Sequence, residues 1–352
     1  MRHVHILPAF RLESGAALRE VPVAYHTWGR LAASGDNVVV VCHPLTADSD
    51  AARWWGALIG PGRPFDTRRH FVVCLNVPGS PYGTVSPLTT DPDTGRPYGP
   101  RFPAFTIRDT VALHRAVLDA LGVRRVPLAV GGSMGGMHVL EWAFQGDFVR
   151  AIAPIAVGGR HSAWGVAWTE AQRQALFADP RWDEGRYAPD APPAAGLAAA
   201  RQVAMLGYRT PGSFSDRFGR TRDADRFAVE AYLHHQGESF VRRFDANCYV
   251  ALSRQLNTHD VARGRGAFPD VLGRVRQPAL VVGIASDGLY PLDEQREVAA
   301  HLPNARLAVL PSPHGHDAFL LDFDLLEAAL RPWLARHLVP SPRSLAAAQA
   351  TP

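Results

Sequence analysis

The chain has 352 residues, of which 47% are hydrophobic and 20% charged, a balance typical of a globular protein with a sizeable buried core. Its net charge is only +4 and its basic residues, all of them Arg, are scattered, so we expect no nucleic-acid binding. No stretch has the roughly 18 apolar residues of a membrane helix and no signal-like segment opens the chain, so we expect no membrane association and a cytoplasmic location.

Short β-rich runs alternate with helical stretches along most of the chain. An alternating segment with a Ser14-Gly15 turn predicts an N-terminal antiparallel hairpin over 10–29. The other predicted strands are apolar runs bounded by turn residues, at 38–42, 71–75, 126–130, 151–157, 279–284 and 306–310. This alternation predicts the α/β class, with a mostly parallel, doubly wound sheet covered by helices on both faces. The three cysteines, few and odd in number, are interpreted as buried thiols rather than a disulfide framework.

The alternation breaks between about residues 158 and 277, where helical periodicity continues without a convincing strand. We therefore predict a core formed by 1–157 and 278–339, with 158–277 inserted as a helical cap. The tail at 340–352 is rich in Pro, Ser and Ala and is expected to be disordered. Residues 78–103 are rich in Pro, Gly and Thr and form a candidate binding loop, because they are too many for a simple connection.

The run Gly131-Gly132-Ser133-Met134-Gly135 is a G-x-S-x-G motif between a predicted strand and a helical pattern. The bare pattern is common by chance, but a strand-turn-helix context is what a nucleophile elbow requires. The tight turn lifts the serine hydroxyl above the sheet, and glycines let neighbouring backbone pass close by. The sequence therefore predicts Ser133 as the nucleophile of an α/β-hydrolase fold.

Two partners for this serine are expected at later strand ends, in the chain order acid then histidine. Asp287 follows the predicted strand 279–284, and both His314 and His316 follow the strand 306–310. The imidazole would take the serine proton, while the carboxylate would fix its tautomer and stabilise the imidazolium. Position alone does not decide between His314 and His316.

An oxyanion hole needs backbone N–H groups directed at the developing negative charge. Met134, directly after the nucleophile, supplies one. The second should come from the loop after strand 38–42, where Leu45 is the better candidate because Pro44 has no N–H, and His43 is interpreted as structural. We expect no metal site, since His234 and His235 are adjacent and no H-E-x-x-H motif is present.

Longer strings extend these motifs, and with them the chain resembles the homoserine O-acetyltransferases of methionine biosynthesis from about residue 10 to about residue 333. The matching strings include Trp54-Trp55-Gly56, Thr106-Ile107-Arg108-Asp109, the extended elbow 131–137, Arg243-Phe244-Asp245-Ala246-Asn247 and Gly315-His316-Asp317-Ala318-Phe319. Strings of this length are much more specific than G-x-S-x-G alone.

The resemblance implies acyl transfer by a ping-pong reaction through Ser133, with acetyl-CoA as co-substrate and no bound cofactor. It favours His316 as the base and implies that Asp317 binds the substrate ammonium. It also implies that Arg201 and Tyr208, in the cap, hold the substrate carboxylate, which agrees with the bidentate grip of Arg on carboxylates. A homodimer formed through the cap helices is implied as well.

Several positions depart from the family pattern. Pro44 and Ala47 stand where the family often has Ala and Gly, Pro81 where many bacterial members have Cys, and His138 where Gln is usual. Related activities on this scaffold therefore remain as alternatives: serine O-acetyltransferase, homoserine or serine O-succinyltransferase, and carboxylesterase. A succinyl donor would need an extra cation near the acyl pocket, and Arg53 is the only nearby candidate, so the sequence favours acetyl.

Overall fold

An eight-stranded sheet lies at the centre of the computed structural model, which describes residues 1–223 and 225–338. Its strands run in the order β1-β2-β4-β3-β5-β6-β7-β8, and strands β3 to β8 are parallel to one another. They are β1 Arg2–Arg11, β2 Ala17–Trp28, β3 Val38–Cys42, β4 Phe71–Leu75, β5 Leu128–Gly132, β6 Ile152–Ile155, β7 Ala279–Ile284 and β8 Ala305–Leu310. The predicted α/β class is confirmed. The tail predicted to be disordered, 340–352, lies outside the described residues.

The N-terminal hairpin consists of β1 and β2, which pair antiparallel, and β2 in turn pairs antiparallel with β4. The hairpin starts at Arg2, eight residues earlier than the sequence predicted. β1 is an edge strand that exposes Val4 and Ile6, so its outward face is partly apolar and its alternation of apolar and polar residues is weak.

Two other strands differ from the prediction at their ends by more than one residue. β5 begins at Leu128 and runs to Gly132, because Gly131 and Gly132 pair with β3 and β6 despite lacking side chains. β6 ends at Ile155, and Ala156 follows with a positive φ of 49°. Apolar side chains on the two faces of the sheet form two buried clusters, as expected for a sheet covered by helices on both sides.

Helices cover the sheet, and none in the described residues is both long and apolar enough to cross a bilayer. They are α1 Ala51–Trp55, α2 Ile107–Ala120, α3 Met134–Trp142, α4 Ala163–Phe177, α5 Ala194–Tyr208, α6 Pro211–Phe218, α7 Ala228–Val241, α8 Ala246–Leu256, α9 Phe268–Leu272, α10 Leu292–His301, α11 Ala318–Leu321 and α12 Phe323–His337. The described part of the chain also has four short 3₁₀ helices, at Gly99–Arg101, Gly146–Phe148, Asp183–Gly185 and Gly315–Asp317.

The chain between β6 and β7 carries helices α4 to α9. Within it, α5 packs against both α4 and α7, and α4 also contacts α8. A two-residue ribbon, Arg222–Asp223 with Arg226–Phe227, lies in the same stretch but pairs with no strand of the main sheet. The sequence did not predict it, because strands of two residues are too short to show a period.

Besides His316, six histidines in the described residues are buried: His43, His70, His114, His138, His161 and His259. Burial lowers the pKa of all six, to about 4 for His114, His161 and His259, because the imidazolium is poorly solvated inside the protein. Neither nitrogen of His138 has a hydrogen-bond partner within the described residues. The native state therefore holds these rings in their neutral form.

Because these histidines are buried and neutral, we expect the protein to lose stability at acidic pH. The unfolded chain takes up protons as the pH falls below about 6.5, whereas the native rings of His114, His161 and His259 resist protonation until about pH 4, so the free energy of unfolding should fall across that window. His316 acts in the opposite direction because its pKa is raised, so it adds stability below pH 6.5 that is lost at higher pH. Urea unfolding at several pH values between 7.5 and 4.5 measures the net effect, for which we expect a continuous loss.

The control is His138→Leu, which removes one of these rings and leaves no unpaired nitrogen behind. Its unfolding free energy should be higher than that of the wild type by about 1–2 kcal/mol and should depend less steeply on pH. Equal stability at pH 7 and pH 5 in the wild type would contradict the prediction.

Candidate active site

Ser133 stands at the turn between β5 and α3, with φ 58° and ψ −126°. Such a φ is unfavourable for a residue with a side chain, and it persists because the chain on both sides is held in place. A Cβ atom on Gly135 would lie only 2.0 Å from the carbonyl oxygen of Cys42, so only glycine lets α3 approach β3 this closely. The N–H of Ser133 donates to the carbonyl of Ile155 at 3.0 Å.

His316 and Asp287 form a buried hydrogen-bonded pair at the ends of β8 and β7. The Nδ1 atom of His316 lies 2.7 Å from an Oδ atom of Asp287, and both side chains are almost fully shielded from solvent. The other Oδ atom accepts the N–H groups of Leu289 and Tyr290, each at 2.9 Å. These bonds orient the carboxylate, which in turn sets Nδ1 of His316 as the protonated nitrogen.

Ser133 and His316 line one cavity of about 390 Å³. The Nε2 atom of His316 has no hydrogen-bond partner within the described residues, so this nitrogen is free to take a proton from a hydroxyl in the cavity. Burial lowers the pKa of His316, but the charge of Asp287, the hydrogen bond to it and the charge of Asp317 outweigh burial, so the net pKa lies above its ordinary value. His316 is therefore suited to act as a general base.

Three aromatic rings enclose the His316 imidazole. The ring centroids of Tyr290, Phe319 and Tyr208 lie 5.1, 5.7 and 6.0 Å from that of His316. They fix the plane of the imidazole and limit the access of water to it. His314, the alternative left open by position, is partly exposed and lies 3.7 Å from Asp322 instead.

Of the two predicted oxyanion donors, Leu45 lies at this cavity and Met134 directly follows Ser133 in the chain. Leu45 lines the cavity, and no hydrogen bond within the described residues uses its N–H. Met134 is the first residue of α3, and the first N–H groups of a helix have no partner inside the helix. Both N–H groups are therefore available to a negatively charged oxygen near Ser133.

Arg201 and Tyr208 line the same cavity from α5. The guanidinium of Arg201 lies 5.5 Å from the ring centroid of Tyr208 and 5.2 Å from that of the buried Phe240. Arg201 forms no ion pair in the described part of the chain, although its charge acts on the carboxylate of Asp317. Burial raises the pKa of the Tyr208 hydroxyl, which stays protonated and can donate a hydrogen bond.

Asp317 also lines the cavity, but it already has a cationic neighbour, Arg209, which the sequence did not single out. Nε of Arg209 lies 3.1 Å from a carboxylate oxygen of Asp317, although the angle is unsuited to a hydrogen bond. Burial raises the pKa of Asp317, and the charges of Arg209, His316 and Arg201 partly offset this. An ammonium group bound here would share the carboxylate with Arg209.

Two further arginines lie at the cavity, Arg53 and Arg243. Arg53 forms an ion pair with Asp48. Arg243 donates to the carbonyl of Thr46 at 2.8 Å and to the hydroxyl of Tyr82, and its guanidinium lies 5.1 Å from the Phe240 ring. Phe240 thus contacts the guanidinium groups of both Arg201 and Arg243.

The candidate binding loop, 78–103, does not contribute to this cavity in the described residues. It instead lines a second cavity of about 470 Å³, together with parts of α4 and α8. Tyr82 connects the loop to the first cavity only indirectly, through Arg243.

Known proteins resemble the chain over nearly its whole length. A protein-family model described as the alpha/beta hydrolase fold matches residues 37–323. The homoserine O-acetyltransferase of Salinibacter ruber is 60% identical over 338 residues, which cover 94% of this chain and 96% of that protein. The chain belongs to the homoserine O-acetyltransferase family. The resemblance recognised from the sequence motifs is confirmed.

Solved structures of homoserine O-acetyltransferases and of esterases share this fold. The homoserine O-acetyltransferase from Staphylococcus aureus superposes with a TM-score of 0.80 at 30% identity, covering 98% of this chain and 99% of that one. A variant of esterase E22 superposes with a TM-score of 0.89 at 25% identity, covering 95% and 99%. The fold of the homoserine O-acetyltransferase family is thus close to that of an esterase.

The role of Asp287 can be tested by Asp287→Asn. The amide oxygen can still accept the two backbone N–H groups, but the amide NH₂ then faces Nδ1 of His316. The imidazole must turn to the tautomer with a proton on Nε2, which cannot accept the proton of Ser133. We expect the rate of Ser133 modification by a serine-directed phosphonate to fall by about 10⁴-fold, measured by stopped-flow or mass spectrometry.

Asp293→Asn is the matched control, because Asp293 lies in α10, is exposed and, within the described residues, forms an ion pair only with Arg296. It should react at the rate of the wild type. A loss of less than tenfold in Asp287→Asn, with an unchanged unfolding midpoint, would remove Asp287 from the proposed triad.

Proposed function

We propose that this protein is an L-homoserine O-acetyltransferase, which transfers the acetyl group of acetyl-CoA to the hydroxyl of L-homoserine through an acetyl-Ser133 intermediate. The observation that carries the proposal is the cavity that joins Ser133, the His316–Asp287 pair and Arg201, which has no ion-pair partner in the described residues, in a chain 60% identical to a protein of that name. Acetyl-CoA is a co-substrate, and no resident cofactor is part of the proposal.

In the first half-reaction, Oγ of Ser133 attacks the thioester carbonyl while Nε2 of His316 takes its proton. The negative charge on the carbonyl oxygen is stabilised by the N–H groups of Leu45 and Met134. The C–S bond then breaks, and the proton on His316 passes to the CoA sulfur. Asp287 stabilises the imidazolium throughout these steps.

In the second half-reaction, the homoserine hydroxyl gives its proton to His316 and attacks the acetyl-serine carbonyl. The C–O bond to Ser133 breaks, and Oγ recovers the proton from His316. Water must be kept from the acyl-enzyme for transfer to win over hydrolysis, and the aromatic rings around His316 support this by limiting water access.

An amino-acid acceptor needs a cation for its carboxylate and an anion for its ammonium. Arg201 offers an unpaired guanidinium, which can bind a carboxylate with two parallel hydrogen bonds, and Tyr208 adds a hydroxyl. Asp317 offers the anion. Because Arg209 already neutralises part of its charge, the ammonium must approach the side of the carboxylate that faces the cavity.

The charges around the cavity favour an acetyl donor over a succinyl donor. A succinyl donor carries a second carboxylate, which would require a free cation near the acyl position. Arg53 was the candidate for that role, but its charge is already paired with Asp48. Breaking that pair would offset much of the gain from binding a succinyl carboxylate.

The decisive measurement is release of free thiol from acetyl-CoA with homoserine or serine as the acceptor. We expect the highest turnover with acetyl-CoA and homoserine, and much lower turnover with succinyl-CoA or with serine. Mass spectrometry after incubation with acetyl-CoA alone should show one acetyl group on the wild type and none on Ser133→Ala, because only the wild type has the nucleophile.

Three results would contradict this proposal. If the folded protein releases no thiol with either amino acid, it is not such a transferase. Rapid turnover of p-nitrophenyl acetate with no response to homoserine would favour a carboxylesterase instead. An acetyl adduct that persists in Ser133→Ala would place the nucleophile elsewhere.

Arg201→Ala tests the acceptor site. Loss of a charge-assisted, bidentate contact costs about 1.5–3 kcal/mol, so KM for homoserine should rise roughly 10- to 150-fold while KM for acetyl-CoA changes little. Arg201→Lys should be intermediate, since lysine keeps the charge but loses the fork. Steady-state kinetics with each substrate varied in turn measures both constants.

The control for this variant is Arg242→Ala, another arginine of the same segment, which bonds only to Ser239 and does not line the cavity in the described residues. It should leave both KM values unchanged. An equal rise in both KM values in Arg201→Ala would refute the carboxylate role.

We also propose that the enzyme is a cytoplasmic homodimer. The exposed apolar residues Trp164 and Leu206 lie on α4 and α5, in the proposed cap, and a partner chain could cover them. The three cysteines are free and buried, which suits a reducing compartment. Sedimentation equilibrium should give twice the mass of one chain, and the mass of a single chain would contradict the dimer.

A further inference from the structure

A fully buried histidine, His43, begins the loop that carries Leu45, directly after β3. The N–H of Val77 donates to Nε2 of His43 at 2.9 Å, so Nε2 must be the unprotonated nitrogen. Nδ1 of the neutral ring therefore carries the proton, and it lies 2.9 Å from the carbonyl oxygen of Pro44. Burial lowers the pKa of His43 and keeps the ring neutral. The hydrogen-bond network thus allows only one tautomer.

The carbonyl that His43 holds belongs to the same peptide unit as the N–H of Leu45. That unit is planar and trans, so its C=O and N–H point in opposite directions and cannot be oriented independently. The N–H of Ala47 donates to the same carbonyl at 3.1 Å, which fixes it from a second direction. Because the Pro44 carbonyl points toward the buried His43 ring, the N–H of Leu45 points away from that ring. Leu45 lines the cavity and, in the described residues, His43 does not.

The rest of the loop is held by other contacts. The N–H of Ser49 donates to the side chain of Asn76 at 2.7 Å, and Arg243 donates to the carbonyl of Thr46. These bonds keep the loop in place but do not touch the peptide unit between residues 44 and 45. The orientation of that unit is thus assigned to His43 and Ala47.

We propose that His43 is a positioning residue for the oxyanion hole, which acts by holding the Pro44 carbonyl so that the Leu45 N–H points at the oxyanion. This inference rests on the proposed function only in taking Leu45 as an oxyanion donor. It also gives a reason why proline is tolerated at position 44, where the peptide unit that matters is the one after the proline and the missing N–H is not used.

Three variants separate the two hydrogen bonds of the ring. His43→Asn places an amide nitrogen where Nδ1 was and keeps the donor to Pro44. His43→Gln extends one bond further and keeps an acceptor near Nε2 for the N–H of Val77, but not the donor. His43→Leu removes both. The readout is acylation of Ser133 by p-nitrophenyl acetate, as burst rate and KM, with the thermal midpoint of unfolding measured in parallel.

A misdirected oxyanion donor costs about 10²–10³-fold in rate, so His43→Leu and His43→Gln should lose about 100-fold in the acylation rate with KM within about threefold of the wild type. His43→Asn should recover to within about tenfold of the wild type. His138→Leu is the control, because it replaces another buried histidine that makes no hydrogen bond to the loop, and it should acylate at the wild-type rate.

A purely structural role gives a different pattern. If the acylation rate follows the unfolding midpoint, or if the Asn and Gln variants lose equally, the proposal is overturned. A change of less than threefold in His43→Leu overturns it as well. Should the variants not fold, long-range ¹H–¹⁵N NMR of the wild type decides, since the proposal requires Nδ1–H with an unprotonated Nε2, and the other tautomer or the imidazolium would refute it.

With this readout, a failure of the positioning role of His43 can be distinguished from a failure of the proposed function. p-Nitrophenyl acetate acylates Ser133 without CoA or an amino acid, so the His43 variants can be ranked even if the protein releases no thiol from acetyl-CoA. Absence of thiol release would refute the transferase alone, and equal acylation by all His43 variants would refute the positioning role alone.

Discussion

The close approach of α3 to the end of β3 is the contact on which the rest of the site depends. Gly135 has no side chain, so the helix can lie against the carbonyl of Cys42, and the turn before it holds Ser133 at a positive φ. The chain leaves β3 at this same contact and enters the loop that carries Leu45. One backbone approach therefore fixes both the position of the nucleophile and the starting point of the loop opposite it. Any residue larger than glycine at position 135 would push α3 away from β3.

The parallel sheet brings together groups that lie far apart in the sequence. β3, β5, β7 and β8 run in the same direction, so the segments that follow them meet at one edge, which is where ligands bind in such sheets. The side chains at this edge are mostly apolar or aromatic, so the few charged groups there interact strongly with one another. The pKa of His316 is raised by two neighbouring carboxylates against the effect of burial, and the charge of Asp317 is shared with Arg209. Charge placement, rather than the number of charged groups, sets the chemistry of this cavity.

Much of this arrangement could be predicted from the sequence because it is encoded locally. Apolar runs predicted the central strands, and the elbow motif predicted an acid and then a histidine at later strand ends. The choice of His316 over His314 came from the family resemblance. What could not be predicted depends on pairs of residues distant in the chain. Arg209 looks like any exposed arginine until Asp317 is seen beside it. The hydrogen bond between Val77 and His43 joins two loops that share no motif, and the edge strand β1 has too little burial on either face to show a clear period. The boundaries of the proposed cap and the roles of the site residues remain predictions.

The shared stacking of Arg201 and Arg243 on Phe240 has a consequence for how the family can diverge. Arg201 faces the cavity, whereas Arg243 holds the backbone of Thr46 in the oxyanion loop, so one aromatic ring supports a residue proposed for acceptor recognition and a residue that braces the loop. Residues that share a partner do not respond additively to substitution. Positions 201, 240 and 243 should therefore change together among relatives that accept a different substrate, and a new specificity would have to be gained by replacing the three as one unit.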